Sequence, residues 1–348
     1  MPRIGVVHHP IYQEHDPGDY HPETPRRLAA LEETLAGPGA GLFVDVDPRP
    51  ATEEEITWVH SPEHFAQVAA TAGQKQAALD PDTRTSPRSF EAALMAAGGL
   101  LSLVDAAFEG RCQVGLGLVR PPGHHAEKNR SMGFCLFNNV AVAAEYARRR
   151  HGQKKILIVD WDLHHGNGTQ HSFETDEGVV YFSTHQYPFY PGTGQAGEVG
   201  SGPGEGYTIN VPLSHGHGDE EFVQIFSRIL LPVAREYRPG LILVSAGFDI
   251  HFNDLLGSQA VTPEGFAALA RLLDELAGEL CEGRLIFTLE GGYNVQGQAD
   301  SILAMLRQLA GSGELGPEQL RDDPARPDIE AVKAVKKIQS RYWPGMAG

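Results

Sequence analysis

The chain has 348 residues and a formal net charge of −17, and 41% of its residues are apolar. This length and apolar content suit one large α/β domain and do not require a second one. The negative charge argues against direct binding of nucleic acid, because the phosphate backbone would be repelled.

Short apolar runs alternate with longer segments of helical periodicity along the chain. The runs are rich in Val, Ile and Leu, which is typical of strands covered on both faces of a parallel sheet. Strands are predicted at 4–7, 114–119, 156–159, 179–183, 207–211, 241–245 and 285–289. Helices are predicted at 89–108, 138–150, 219–237, 263–282 and 298–310, with Ser89 and Thr262 as N-caps. The alternation predicts a single α/β domain over 1–348, in which 312–348 is a C-terminal extension packed on the body.

The cysteines Cys112, Cys135 and Cys281 form neither a Cys-x-x-Cys pair nor a disulfide framework. The first residues lack the pattern of a signal peptide, and no apolar run is expected to approach the roughly 20 residues of a membrane span. A reducing cytoplasm, without membrane attachment, is therefore the expected location. No feature of the sequence specifies an oligomeric state.

Five of the predicted strands run directly into polar residues. Because the carboxyl ends of parallel strands share one edge of a sheet, these residues are expected to converge in one site. The five clusters are RPPGHH (120–125), DWDLHH (160–165), TH (184–185), AGFD (246–249) and EGGY (290–293).

The second and fourth clusters predict a metal site. Asp162 and His164 are two residues apart in an extended segment, so their side chains project to the same side. Asp249, from another strand end, would complete three ligands with one open position, as in catalytic zinc sites. Nitrogen and oxygen ligands without thiolate also permit Fe(II), Co(II) or Mn(II).

Hydrolysis of an amide also needs a base for the attacking water and a proton for the leaving amine. His124 and His125 follow a Pro-Pro-Gly turn, and Asp160 and Asn167 are candidates to orient their rings. Tyr293 follows two glycines and is suited to donate its hydroxyl hydrogen to an oxyanion.

Each motif by itself has an ordinary structural interpretation. A His-His pair is often structural, an Asp-x-Asp-x-His segment also forms loop networks, and an isolated Gly-Gly-Tyr means little. Together, each at a strand end of an α/β chain, they are hard to explain without a metal site.

On these motifs the chain resembles the histone deacetylase superfamily, and its class II branch in particular. The resemblance runs from about residue 5 to residue 309 and implies the arginase–deacetylase fold, a three-layer α/β domain with a roughly eight-stranded, mainly parallel sheet. It is carried by HPETPRR (21–27), RPPGHHAEKNRSMGFCLFNN (120–139), VDWDLHHGNGTQ (159–170), VSAGFD (244–249) and LEGGYN (289–294).

The resemblance implies a role for each candidate residue. Asp162, His164 and Asp249 match zinc ligands, and Tyr293 matches the tyrosine that polarises the substrate carbonyl. His124 matches the electrostatic, proton-donating histidine paired with Asp160, and His125 matches the general base. Asn167 stands where some relatives have aspartate, so His125 is expected to be the less basic histidine of the pair.

The resemblance also implies a substrate tunnel and a second ion. Gly133 with Phe134, and Tyr190, match the tunnel walls, Asp82 a rim aspartate, and Leu256 a gatekeeper position. A structural potassium ion would be held at five positions, largely through backbone carbonyls: Asp160, Asp162, His164, Ser183 and Thr184.

The leading interpretation is a zinc-dependent amidohydrolase that removes acetyl or acyl groups from lysine ε-amines of proteins or peptides. The alternative is a small-molecule amidohydrolase of the acetylpolyamine type. The polyamine branch uses an acidic gatekeeper, and the apolar Leu256 removes that reason to favour it, although the net negative charge would attract any cation. A non-catalytic acyl-lysine binding module is disfavoured, because every catalytic position is filled. A two-manganese ureohydrolase would need additional ligands.

Overall fold

The apolar runs form a parallel sheet whose carboxyl edge carries the polar clusters. The computed structural model of the protein describes residues 3–316 and 318–346. The sheet has eight strands in the order β2-β1-β5-β10-β9-β6-β7-β8, and a separate hairpin pairs β3 with β4. The strands are β1 (Ile4–Val7), β2 (Val44–Asp45), β3 (Ala77–Asp80), β4 (Thr83–Thr85), β5 (Val114–Gly117), β6 (Ile156–Asp160), β7 (Val179–Gln186), β8 (Thr208–Leu213), β9 (Leu241–Ala246) and β10 (Leu285–Leu289).

Helices flank the sheet, which confirms the predicted three-layer α/β class. They are α1 (Arg26–Ala36), α2 (Glu53–Ile56), α3 (Pro62–Ala69), α4 (Ser89–Phe108), α5 (Asn139–His151), α6 (Asn167–Phe173), α7 (Asp219–Ile225), α8 (Leu231–Tyr237), α9 (Pro263–Leu280), α10 (Val295–Leu309) and α11 (Glu330–Gln339). Helix α4 packs on β1, β5 and α5, while α9 packs on α7 and α10.

All seven predicted strands are present, with ends shifted by up to three residues. The sequence did not predict β2, the β3–β4 hairpin or the shorter helices α1, α2, α3 and α6, because segments this short carry little periodicity. The predicted helix 219–237 is divided by a π-helical turn at Phe226–Leu230. Pro232 lies just after this turn and lacks the amide hydrogen that an α-helix would require there.

One of the two predicted N-caps is wrong. Thr262 Oγ1 accepts a hydrogen bond from Gly265 N at 3.2 Å and caps α9 as predicted. Ser89 lies inside α4, whose N-cap is Arg88, and its hydroxyl instead accepts from Ser86 N at 2.7 Å.

The C-terminal helix α11 packs against the edge strand β8, and Gln339 Nε2 donates to Thr208 O at 2.8 Å. Trp343 adds a hydrogen bond from its indole to Gly206 O. The single-domain organisation over 1–348 stays a prediction, which this contact and the continuous apolar core support.

Helix α4 corrects the expectation that no apolar run approaches membrane-spanning length. It has 20 residues, an 18-residue window of which has a mean hydropathy of 1.5, and by length and composition the helix suffices to cross a membrane. Its apolar window is 67% buried within the protein, as in a core helix. Gly98 brings the helix against the chain at 49–51: a Cβ on Gly98 would lie 1.9 Å from Arg49 O and 2.5 Å from Ala51 N.

The tight packing at Gly98 and the open space at Gly278 predict opposite effects of a Gly→Ala substitution at the two positions. Gly98→Ala should lower the free energy of unfolding by about 1–3 kcal/mol, because the new methyl group meets backbone atoms that cannot move away. Gly278→Ala, at an exposed site of α9 with open space around it, should raise it by about 0.5–1 kcal/mol through helix propensity. Urea unfolding of both variants measures the difference, and equal stability would contradict the packing argument.

Candidate active site

The predicted ligand triad comes together at the carboxyl edge of the sheet. His164 Nδ1 lies 3.1 Å from both Asp162 Oδ1 and Asp249 Oδ2, and the potential ligand atoms of the three residues are all within 4.8 Å of one another. The second oxygen of each carboxylate is held by a backbone amide, from Gly291 to Asp162 Oδ2 and from Leu163 to Asp249 Oδ1. The triad is therefore preorganised around a common centre.

The charges of the buried triad favour a bound cation. Burial disfavours protonated His164, but hydrogen bonds to Asp162 and Asp249 outweigh this effect and raise its pKa to about 9. Burial and the charge of Asp162 raise the pKa of Asp249 to about 7. Two fully buried carboxylates face each other here, and a divalent ion would relieve their repulsion.

Two glycines make room for the carboxylates. A Cβ on Gly291 would lie 2.3 Å from Asp249 Oδ2 and 2.6 Å from Asp162 Oδ2. A Cβ on Gly247 would lie 2.2 Å from Asp162 Oδ2. A side chain at either position would push the carboxylates out of place, so the donor set and its surroundings fit a small ion such as Zn²⁺.

The tandem histidines have different partners. His124 Nδ1 donates to Asp160 Oδ2 at 3.1 Å, while His125 Nδ1 donates to Asn167 Oδ1 at 2.8 Å. Tyr181 also donates its hydroxyl hydrogen to Asp160 Oδ2 and holds that carboxylate in place. Each histidine thus has the orienting residue that the sequence analysis selected for it.

Because their surroundings differ, the pKa values of the two imidazoles are shifted in opposite directions. Burial opposes the charged form of His124, but the Asp162 and Asp160 carboxylates outweigh it and raise its pKa to about 10. Burial, followed by the positive charges of His124 and His164, holds the pKa of His125 well below its ordinary value. One site therefore contains a positively charged imidazole beside a neutral one, although the ring centroids are only 4.0 Å apart.

Tyr293 follows a turn whose backbone conformation favours glycine. Gly292 has φ +116°, and the amides of Tyr293 and Asn294 donate to Asp254 Oδ2 at 2.6 and 3.0 Å. Burial, and then the charge of Asp249, raises the pKa of Tyr293 well above its ordinary value. The phenol therefore stays protonated at neutral pH and is able to donate a hydrogen bond.

A pocket of about 120 Å³ is lined by several of these groups and corresponds to the predicted substrate tunnel. Tyr190 meets the His125 ring edge-on at 5.1 Å, and Phe134 meets Tyr293 edge-on at 6.0 Å. The tunnel is lined by Asp82, Pro122, His124, His125, Gly133, Phe134, His164, Tyr190, Leu256, Gly291 and Tyr293. All five predicted substrate-binding residues lie along it.

The backbone before Phe134 lies so close to the His125 ring that only a glycine fits there. Gly133 has φ +57°, and a Cβ there would lie 2.3 Å from His125 Cδ2. Asp82 Oδ1 accepts from Gly133 N at 3.1 Å and ties the β3–β4 turn to this wall. The rim aspartate and the tunnel wall thus form one connected unit.

Two of the positions predicted for potassium, Asp162 and His164, belong to the triad, and the other three lie on the paired strands β6 and β7. Ser183 on β7 pairs with Asp160 on β6, and the buried Thr184 Oγ1 has no hydrogen-bond partner within 3–316 and 318–346. An unpaired buried hydroxyl at this point fits an ion or a water molecule.

Comparison with known proteins identifies the family. The histone deacetylase domain matches residues 21–309, which is most of the chain. The chain belongs to the histone deacetylase family. The family and its named members are deacetylases, so the enzyme class associated with this domain is hydrolysis of amide bonds.

Several histone deacetylase relatives match over nearly the whole chain. It is 41% identical to histone deacetylase 15 of Arabidopsis thaliana, with 94% of the chain and 59% of that protein covered. It is 37% identical to a probable deacetylase of Archaeoglobus fulgidus (97% and 98% covered) and 40% identical to the human polyamine deacetylase HDAC10 (92% and 49% covered). The crystal structure of the HDA15 HD domain matches with a TM-score of 0.91 at 39% identity, covering 99% of this chain and 96% of that one. The fold is therefore that of the histone deacetylases. The chain spans only about half to three fifths of the length of the Arabidopsis and human relatives named here.

Sequence reasoning missed several residues of this histone deacetylase site. Glu290 is fully buried and accepts from Gly123 N at 2.6 Å and His124 N at 3.2 Å, so it anchors the histidine turn. Phe189 stacks on the His164 ring with centroids 5.5 Å apart. Pro122 and Gly291 line the tunnel. The only signal for Glu290 and Gly291 was their place in the EGGY cluster.

The close fit of Gly291 makes it a test of the metal site that replaces none of the three ligand residues. Gly291→Ala should weaken metal affinity by about 10- to 100-fold, because its Cβ displaces both carboxylates. Gly197→Ala, an exposed loop position with open space, should retain full affinity. Metal titration with elemental analysis measures both, and unchanged affinity in Gly291→Ala would contradict the proposed ion position.

Proposed function

We propose that this protein is a zinc-dependent deacylase that removes acetyl or related acyl groups from the ε-amine of lysine in peptides or proteins. The observation that carries the proposal is a tunnel lined by His164, one member of the triad with Asp162 and Asp249. The same tunnel is lined by a charged His124, a neutral His125 and the protonated Tyr293. This arrangement provides a ligand set, a base, an acid and an oxyanion donor around one point.

The ion would be held by Asp162, His164 and Asp249, and when bound it supplies a Lewis acid and lowers the pKa of water. Zn²⁺ suits the donor set, and Fe²⁺ and Co²⁺ are chemically compatible. A structural K⁺ near Ser183 and Thr184 is part of the proposal and is supported by the unpaired Thr184 hydroxyl.

The residues divide the proton transfers between them. His125 Nε2 takes a proton from the attacking water, whose oxygen bonds to the amide carbon. Tyr293 donates a hydrogen bond to the oxyanion that develops on the carbonyl oxygen. As the carbon–nitrogen bond breaks, His124 gives a proton to the leaving amine, so that a carboxylic acid and a free amine are released.

Two features support an acyl-lysine substrate. The tunnel is narrow and has aromatic rings, Phe134 and Tyr190, which suit an aliphatic stem. Its mouth carries Asp82 and the half-exposed Leu256. Asp82 can accept from a peptide amide, while Leu256 offers no charge to a distant ammonium group.

The alternative is a small acylated amine of the acetylpolyamine type. The human and mouse relatives named polyamine deacetylase, at 40% and 41% identity, support this class, as does the net charge of −17. Leu256 at the rim is the feature that ranks it second.

We also propose a cytoplasmic location without membrane attachment or direct nucleic-acid contact. Three free, buried cysteines and the acidic surface support it.

Removing one hydroxyl group tests the oxyanion role. Tyr293→Phe should bind zinc normally and lose about 10²- to 10³-fold in kcat, because the oxyanion loses its donor. Tyr342→Phe removes the hydroxyl that donates to Glu205 on the surface and should keep full activity. Steady-state kinetics and metal analysis of both variants measure the effect. A Tyr293→Phe enzyme as active as Tyr342→Phe would exclude Tyr293 as the oxyanion donor.

The substrate class is tested with a panel on zinc-loaded enzyme: an acetyl-lysine peptide, longer acyl-lysine peptides and acetylated polyamines. We expect the highest kcat/KM for an acyl-lysine peptide. Leu256→Glu should raise kcat/KM for acetylpolyamines relative to the peptide by about 5-fold, since a nearby charge pair contributes about 1 kcal/mol. A wild-type preference for polyamines would replace the proposal by its alternative.

A further inference from the structure

A chain of hydrogen bonds connects the protein surface to His125. His171 Nδ1 donates to Glu127 Oε1 at 2.8 Å, and Asn167 Nδ2 donates to the same oxygen at 2.5 Å. Asn167 Oδ1 in turn accepts from His125 Nδ1 at 2.8 Å. Glu127 and His171 lie in a surface cavity of about 320 Å³ on the far side of Asn167 from His125.

The link at Asn167 has two possible orientations. A primary amide has an oxygen that accepts and a nitrogen that donates, and rotation by 180° exchanges them at almost no intrinsic cost. A carboxylate only accepts. An ionised Glu127 therefore requires the nitrogen of Asn167 on its own side and leaves the oxygen facing His125.

The orientation of the amide decides which nitrogen of His125 carries the hydrogen. With the Asn167 oxygen facing it, His125 Nδ1 must be protonated, and Nε2 keeps its lone pair. In the opposite orientation the amide would donate to Nδ1, and the neutral ring would carry its hydrogen on Nε2. Such a ring cannot take a proton from water at Nε2.

Glu127 is the strongest acceptor available to the Asn167 nitrogen. The others within the described residues are the carbonyl oxygen of His125 at 3.3 Å and Met132 Sδ at 3.5 Å, which are uncharged and farther away. A short bond to a charged acceptor is about twice as strong as a neutral one. Burial disfavours the ionised form of Glu127, but His171 and Asn167 outweigh it and lower its pKa.

We propose that Glu127 is a positioning residue for His125, acting through the Asn167 amide, and that His171 holds Glu127 in place from the surface. The proposal rests on the proposed function in one respect, that His125 is the base. The pairing of a neutral Asn167 with an outer carboxylate keeps the histidine oriented without placing a negative charge against it.

The kinetic test uses Glu127→Gln in zinc-loaded enzyme with an acetyl-lysine peptide. Glutamine both donates and accepts, so it tolerates either orientation of Asn167. We expect kcat to fall by about 10- to 100-fold, the value of a charged hydrogen bond, with KM within about 2-fold of wild type. His171→Asn should cause a smaller loss, of about 2- to 5-fold, because water can replace its half-exposed ring.

Glu145→Gln is the matched control. Glu145 lines the same cavity but pairs with Arg148 and Arg149, away from Asn167. Its kcat and KM should equal those of wild type. A Glu145→Gln variant with the same loss as Glu127→Gln would assign the effect to the charge of the cavity and overturn the proposal.

A spectroscopic readout separates positioning from general damage. In ¹⁵N-histidine-labelled, zinc-loaded protein, the His125 signals, assigned by their absence in His125→Ala, should show a protonated Nδ1 in wild type and in Glu145→Gln. Glu127→Gln should show a mixture of both tautomers. A single, unchanged tautomer in Glu127→Gln would overturn the proposal whatever happens to kcat. This readout needs no turnover, so an inactive wild-type enzyme would refute the proposed function and still leave the positioning role decided by the tautomer.

Discussion

Buried negative charge at one edge of the sheet is the constraint on which the rest of the site depends. Asp160, Asp162, Asp249 and Glu290 are all at most 1% exposed. Charges this far from water are tolerated only when opposite charges and hydrogen bonds surround them. Backbone amides donate to both oxygens of Asp162 and to one oxygen each of Asp249 and Glu290. The oxygens that would face a cation, Asp162 Oδ1 and Asp249 Oδ2, both lie 3.1 Å from His164 Nδ1.

The charged groups around the site also give the tandem histidines different pKa values. His124 faces Asp160 and carries a charge, and its charge together with that of His164 disfavours a second cation on His125. An aspartate in place of Asn167 would work against this difference, whereas an amide supports the ring without attracting a proton. A charged and a neutral imidazole thus lie side by side because their neighbours differ, although the two side chains are chemically identical.

The site was accessible to sequence reasoning because its residues follow strands. Each strand of a parallel sheet delivers its next residues to the same edge, so His124, Asp162, Asp249 and Tyr293 were expected together before any distance was known. The Asn167 partnership with His125 was also expected. Helix ends were less predictable: Ser89, with Pro87 upstream, was predicted as an N-cap, but its hydroxyl hydrogen-bonds to Ser86 and His15 instead.

No pattern in the sequence predicted the contacts between segments that lie far apart in the chain. Glu127 and His171 are 44 residues apart, and neither periodicity nor a strand end indicates that they meet beside Asn167. Glu290 similarly reaches the amide of Gly123 across 167 residues. The sequence by itself determined the parallel α/β architecture and the identity of the residues at its carboxyl edge, because burial and strand order depend on residue type and spacing. Only the tertiary structure decided which atoms face each other and which glycines must lack a side chain, because those depend on distances of a few ångströms between separate strands.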